Sequence, residues 1–157
     1  MQIIKIISGG QTGADSAALD FAIESNIPHG GWIPKGRRTE DGPLADKYQL
    51  RERPDRSYAK RTEQNILDSD GALIISHGRL SDSDGSALTR RLAKKHHRPW
   101  IHVDMNEISI QEAADKIRKW FSDNNISILN VAGPRASKNS RIYKTVLKVL
   151  KATIIGH

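Results

Sequence analysis

The chain has 157 residues, 37% of them hydrophobic, no cysteine and a formal charge of +7. That size suits one globular domain over residues 1–157 with a single core, and the lack of thiols excludes disulfide frameworks, thiolate nucleophiles and cysteine-bound metals. No apolar run approaches the roughly 18 residues of a membrane span, and no signal-like start is present, so a soluble, cytoplasmic protein is expected.

IIKIIS (residues 3–8) is a short β-branched apolar run, the pattern of a strand covered on both faces of a parallel sheet. It leads through GGQTGAD into a first helix, ADSAALDFAIES (residues 14–25). HGGWI (residues 29–33) is a weaker strand, because its glycines cost strand stability. Residues 34–57 have no regular period, and a loop beyond about 12 to 15 residues inside a compact domain is often functional. Within it, LADKYQL (residues 44–50) suggests a short edge strand. A second helix, SYAKRTEQNILDS (residues 57–69), carries Arg61 and Asn65 on one face at i, i+4 spacing.

GALIIS (residues 71–76) is the next strand, followed by HGRLSDSDGSALT and a third helix, SALTRRLAKKHH (residues 86–97). PWIHVD (residues 99–104) is strand-like, and SIQEAADKIRKWF (residues 109–121) opens with the capping-box pair Ser109 and Glu112. ISILNVAG (residues 126–133) and SRIYKTVLKVLK (residues 140–151) complete the alternation as strand and helix. Alternating strands and helices predict a Rossmann-like α/β fold: an open parallel sheet with helices on both faces.

In such a sheet ligands bind beyond the carboxyl ends of the strands. The loops placed there are GGQTGAD, HGRLSDSDGSALT and AGPRASKNSR. In the first, Gly9, Gly10 and Gly13 permit close backbone approach, and helix-start amides beside Gln11, Thr12 and Asp15 favour an anion, above all phosphate. The spacing is neither G-x-G-x-x-G nor a nucleoside-triphosphate loop, which disfavours nicotinamide cofactors and ATP hydrolysis. In the second, Gly85 and Ser86 open a helix; a helix cap and a second anion site are both open readings. In the third, Arg135 offers a planar fork for phosphate, with Ser137, Asn139 and Arg141 close by. Lys35, Arg37 and Arg38 stand beside Glu40 and Asp41, a pattern that also suits internal pairing on a surface lid.

No nucleophile–base–acid set can be read from the chain. No serine sits in a G-x-S-x-G elbow, and none of His29, His77, His96, His97, His102 and His157 has metal-binding spacing. Asp15, Glu40, Asp41 and Asp84 are candidate acids without a visible partner, so binding fits better than catalysis. The net positive charge favours an anionic partner. Nucleic acid is the weaker choice, because aromatic side chains for stacking make up only 5% of the chain.

Taken in order, GGQTGAD, GGWIPKGRRTEDGPL, YQLRE, YAKRTEQNILDSDG and LNVAGPRASKNSRIY resemble the molybdenum carrier family over nearly the whole chain. The resemblance implies a Rossmann-like fold related to the lysine-decarboxylase-like and DNA-processing groups that bind nucleotides or their derivatives. It also implies a homo-oligomer, and binding of the molybdenum cofactor (molybdopterin), a phosphorylated pterin, for delivery to a recipient molybdoenzyme. The implied ligand-binding residues are Gly9, Gly10, Gln11, Thr12, Gly13, Asp15, Lys35, Gly85, Ser86, Arg135 and Ser137. One departure is visible: the turn before the third helix is expected to read GGT, and here it reads Asp84-Gly85-Ser86, which adds negative charge. A hydrolase of a nucleotide derivative, splitting a base from a ribose phosphate, is the alternative reading; a nucleic-acid binder is a third.

Overall fold

The computed structural model describes residues 2–80 and 85–156. In chain order it contains β1 (Lys5–Ile7), α1 (Ala14–Glu24), β2 (His29–Gly30), β3 (Trp32–Ile33), β4 (Arg38–Thr39), β5 (Gly42–Pro43) and β6 (Arg51–Glu52). Then follow α2 (Tyr58–Leu67), β7 (Gly71–Ser76), α3 (Gly85–Lys95), β8 (Trp100–Asp104), α4 (Ile110–Asn124), β9 (Ile128–Ala132) and α5 (Ile142–Leu150), which runs on into a π-helical turn (Lys151–Ile155).

Five strands form one sheet in the order β2-β1-β9-β7-β8, with every pairing parallel. Every residue of β7 is buried, as a central parallel strand requires when helices cover both faces. On one face Ile6, Leu73, Ile75, Leu129 and Val131 pack under α1, α4 and α5. On the other, α2 and α3 lie against each other and α3 against β7. The fold is a Rossmann-like α/β fold. The capping box at α4 forms in both directions: Ser109 Oγ accepts from the Glu112 amide, and the Glu112 side chain accepts from the Ser109 amide.

Two local expectations change. The 29–33 run divides at Gly31, whose φ of 132° turns the chain out of the main sheet: β2 pairs with β1, whereas β3 pairs with β6. Residues 44–50 form no edge strand. Their apolar side chains, Leu44, Tyr48 and Leu50, bury against Leu19 and Ile33 in a small second core. The carbonyls of Leu44, Ala45, Tyr48 and Leu50 turn instead to the Arg37 guanidinium, at 2.9–3.4 Å. One cation thus substitutes for a neighbouring strand.

Candidate functional site

β1 and β9 are neighbours, so the loops leaving them meet. Gly13 makes the meeting possible: its φ is 79°, and a Cβ there would lie 2.6 Å from the Pro134 oxygen and 2.7 Å from the Ala136 nitrogen. The Ala14 amide donates to Pro134 O at 3.1 Å, and the Ala136 amide donates to Thr12 Oγ1 at 3.1 Å. Gly9 serves a different approach. Its missing side chain leaves room for the Arg61 guanidinium, which donates to the Gly9 carbonyl and stands 3.8 Å from the Asp15 carboxylate.

Beside these contacts lies a cavity of about 310 Å³, walled by the loops after β1 and β9, the first turns of α2 and the start of α3. Its polar lining includes Asp15, Arg61, Asn130, Arg135 and Lys138, with Tyr58 in the same wall and its ring 5.6 Å from the Arg61 guanidinium. Among the described residues the lining sets three cations against one carboxylate, with Glu40 standing 3.6 Å from Arg135 just outside it, a balance suited to an anionic guest. Burial pushes the Asp15 carboxyl up to about 6, against the opposing pull of Arg61 and of the Gln11 amide. The same burial lowers the Arg61 guanidinium from its ordinary value. Arg61 Nε is buried with no hydrogen-bond partner among the described residues.

Of the residues singled out in the sequence, Gly9, Gln11, Asp15, Gly85, Ser86 and Arg135 line this cavity. Gly13 sets the loop contact behind it. Gly10 does not face the cavity: its φ of 75° directs the space of its absent Cβ toward Leu50, Ile33 and Leu44. Lys35 is exposed and is not part of the lining; its amide donates to Asp55 O at 2.7 Å. Asp84 lies outside the described residues. Thr12 and Ser137 stand at the rim, where both bond the Glu40 carboxylate.

Three amides of the first loop bond within the loop itself. Gly10 N–H donates to Ser8 Oγ at 3.2 Å, Gln11 N–H to Asp15 Oδ2 at 3.2 Å, and Thr12 N–H to Gln11 Oε1 at 3.1 Å. The Asp15 carboxylate is thus the acceptor for the Gln11 amide. Positive charge reaches the cavity from side chains.

Residues 6–154 match the family described as Circularly permutated YpsA SLOG family. The chain belongs to the cpYpsA family. The family member is similar to a crystal structure described as "Putative molybdenum carrier protein" from Syntrophus aciditrophicus SB, with 53% identity, 97% of this chain and 95% of that one covered, and a TM-score of 0.94. No curated protein matches it significantly.

Several cavity residues of this cpYpsA-family chain escape a sequence-only reading of the site. Arg61 and Asn65 were visible as an i, i+4 pair, but not their separate duties: Asn65 bonds both the amide and the carbonyl of Trp32, at 2.7 and 3.3 Å, and so fixes β3. Asn130 left a signal, a polar residue inside an apolar strand, and its burial on β9 puts it in the cavity wall. His77 follows a central strand but bridges Asn139 and Thr145 at 2.7 and 3.1 Å, which ties β7 to the last loop and helix. Among the described residues no group of His, Asp and Glu is arranged to hold a metal ion, and no helix is long and apolar enough to cross a membrane.

Proposed function

We propose that this protein is a carrier that binds a phosphorylated pterin of the molybdenum cofactor class in the cavity beside β1 and β9. The observation that carries the reading is the lining: Arg61, Arg135 and Lys138 border about 310 Å³ with Asp15 as the carboxylate among the described lining residues, and Tyr58 stands in the same wall. That volume falls at the lower end of the roughly 300–1,000 Å³ of small-molecule sites. A flat heterocycle finds an aromatic wall in Tyr58, and a phosphate finds charge-assisted donors in the arginines and Lys138. The unpaired Arg61 Nε gives a further reason for a polar guest, since buried donors ordinarily have acceptors. The name given to the Syntrophus protein supports a molybdenum-related ligand. Assembly as a homo-oligomer, a cytoplasmic setting and transfer to a recipient molybdoenzyme complete the proposal.

Titration of the purified protein with a pterin monophosphate, followed by ligand fluorescence, tests it. Replacing Arg135 and Lys138 together by alanine is expected to weaken binding by roughly tenfold or more, because both charged donors are lost. Equal affinity in both proteins would remove the cavity from consideration.

A second reading is favoured by one observation, the Asp15 carboxyl held near 6 in the cavity wall, where it has both protonation states within reach of neutral pH. That suits hydrolysis of a nucleotide derivative: water adds at the ribose carbon, the bond from carbon to base breaks, and the base leaves with a proton. Incubation with a panel of nucleoside monophosphates, assayed for free base, tests it; release abolished by Asp15→Asn is the outcome required, and no release from any member ends it.

A further inference from the structure

At the rim of the cavity four donors from two loops converge on one carboxylate. Glu40 Oε1 accepts from the Thr12 hydroxyl and, at 3.1 Å, from the Ser137 amide; Oε2 accepts from the Ser137 hydroxyl and stands 3.6 Å from Arg135 Nε. The Thr12 hydroxyl accepts the Ala136 N–H, which leaves its own proton directed at Glu40. These hydrogen bonds, led by those of Ser137 and Thr12, hold the Glu40 carboxyl below its usual range. The side chain is only 18% exposed although it comes from the tip of a surface hairpin.

Two hydroxyls, an amide and a guanidinium around one negative charge constitute an oxyanion cradle. The carboxylate supplies only two oxygens and one charge. A phosphate monoester supplies three terminal oxygens and up to two charges to the same donors. The hairpin that carries Glu40 has its fixed point elsewhere. Arg37 clamps the base through four carbonyls, and the tip closes on itself through Thr39 Oγ1, which donates to Gly42 O and accepts from the Asp41 amide. Apart from its carboxylate, Glu40 holds the rim through its amide, which donates to Gln11 Oε1 at 2.8 Å.

We propose that Thr12, Arg135 and Ser137 form a phosphate subsite that Glu40 fills as a tethered internal ligand, and that an incoming phosphate displaces Glu40 and releases the β4–β5 tip. Choosing a phosphate monoester as the natural occupant rests on the cavity reading above; the subsite itself requires only phosphate. A tethered carboxylate competes at an effective concentration in the millimolar range, so it weakens phosphate binding without abolishing it.

Glu40→Gln keeps the shape and removes the charge. Calorimetric titration with inorganic phosphate is expected to show about tenfold tighter binding by this variant than by the wild type, and Thr12→Val in the Glu40→Gln background is expected to cancel the gain. The unaltered protein gives an independent readout by amide hydrogen exchange: saturating phosphate is expected to strip protection from the Glu40 amide and to leave the Ser137 amide protected. Binding by Glu40→Gln no tighter than wild type, or a Glu40 amide that stays protected at saturation, overturns the proposal. A pterin monophosphate that outcompetes inorganic phosphate in the cradle assigns the phosphate to a larger ligand; equal affinity assigns it to the free ion, and the subsite stands either way. Pterin binding that depends on Arg135 and Lys138, without a gain in phosphate affinity for Glu40→Gln, keeps the cavity reading and removes the subsite. A phosphate gain in Glu40→Gln without pterin binding does the reverse.

Discussion

A carboxyl next to a guanidinium ordinarily loses its proton readily, but Asp15 is held near 6 because its burial outweighs the pull of Arg61, whose charge also serves the Gly9 carbonyl. The folded value lies above the ordinary 3.8, so the fold binds the Asp15 proton more tightly than the unfolded chain does. The contribution is complete below about pH 4 and lost as the pH rises through about 6. Urea unfolding of wild type and Asp15→Asn between pH 4 and pH 7 is expected to show it: relative to the variant, the wild type loses about 1–3 kcal/mol across that window. A difference that stays flat with pH would mean that Asp15 titrates like an exposed carboxyl. That Asp15 stands in the cavity wall was legible from its place after a glycine turn. Its partner Arg61 was not, because nothing in YAKRTEQN says which carbonyl a guanidinium will reach. The inward turn of the Gln11 amide was equally hidden, since a carboxylate four residues on could serve as its acceptor or leave it to a guest.

At the scale of elements, the long segment between β3 and α2 is ordered by a device without period. Arg37, at a φ of 53°, places its guanidinium among four carbonyls of residues 44–50, while Leu44, Tyr48 and Leu50 bury beneath. Arg37→Ala keeps the backbone cost and deletes the bonds. It is expected to lower stability by about 2 kcal/mol, and to raise hydrogen exchange throughout residues 44–50 while leaving β7 amides unchanged. Uniform protection in both proteins would show that the small apolar cluster holds the segment alone. The regular elements were legible for the opposite reason: the apolar runs of β7 and β9 and the spaced apolar positions of α4 and α5 repeat with the period of the structure that they form.

For the molecule as a whole, convergence of distant loops was legible from the strand–helix alternation, because parallel strands place their following loops at one edge. Which side chains complete the cavity was not, because that depends on strand order, and sequence order says little about it. The feature with the widest consequence is the position of β9 between β1 and β7. During synthesis the opening β1–α1–β2 unit waits without its central neighbour until residues near 130 have left the ribosome. No half-sheet can dock early, so maturation of the cradle and completion of the core are one late event. A lesion in the last strand therefore empties the nascent chain of both at once, and exposes the waiting β1 edge to other chains in the interval.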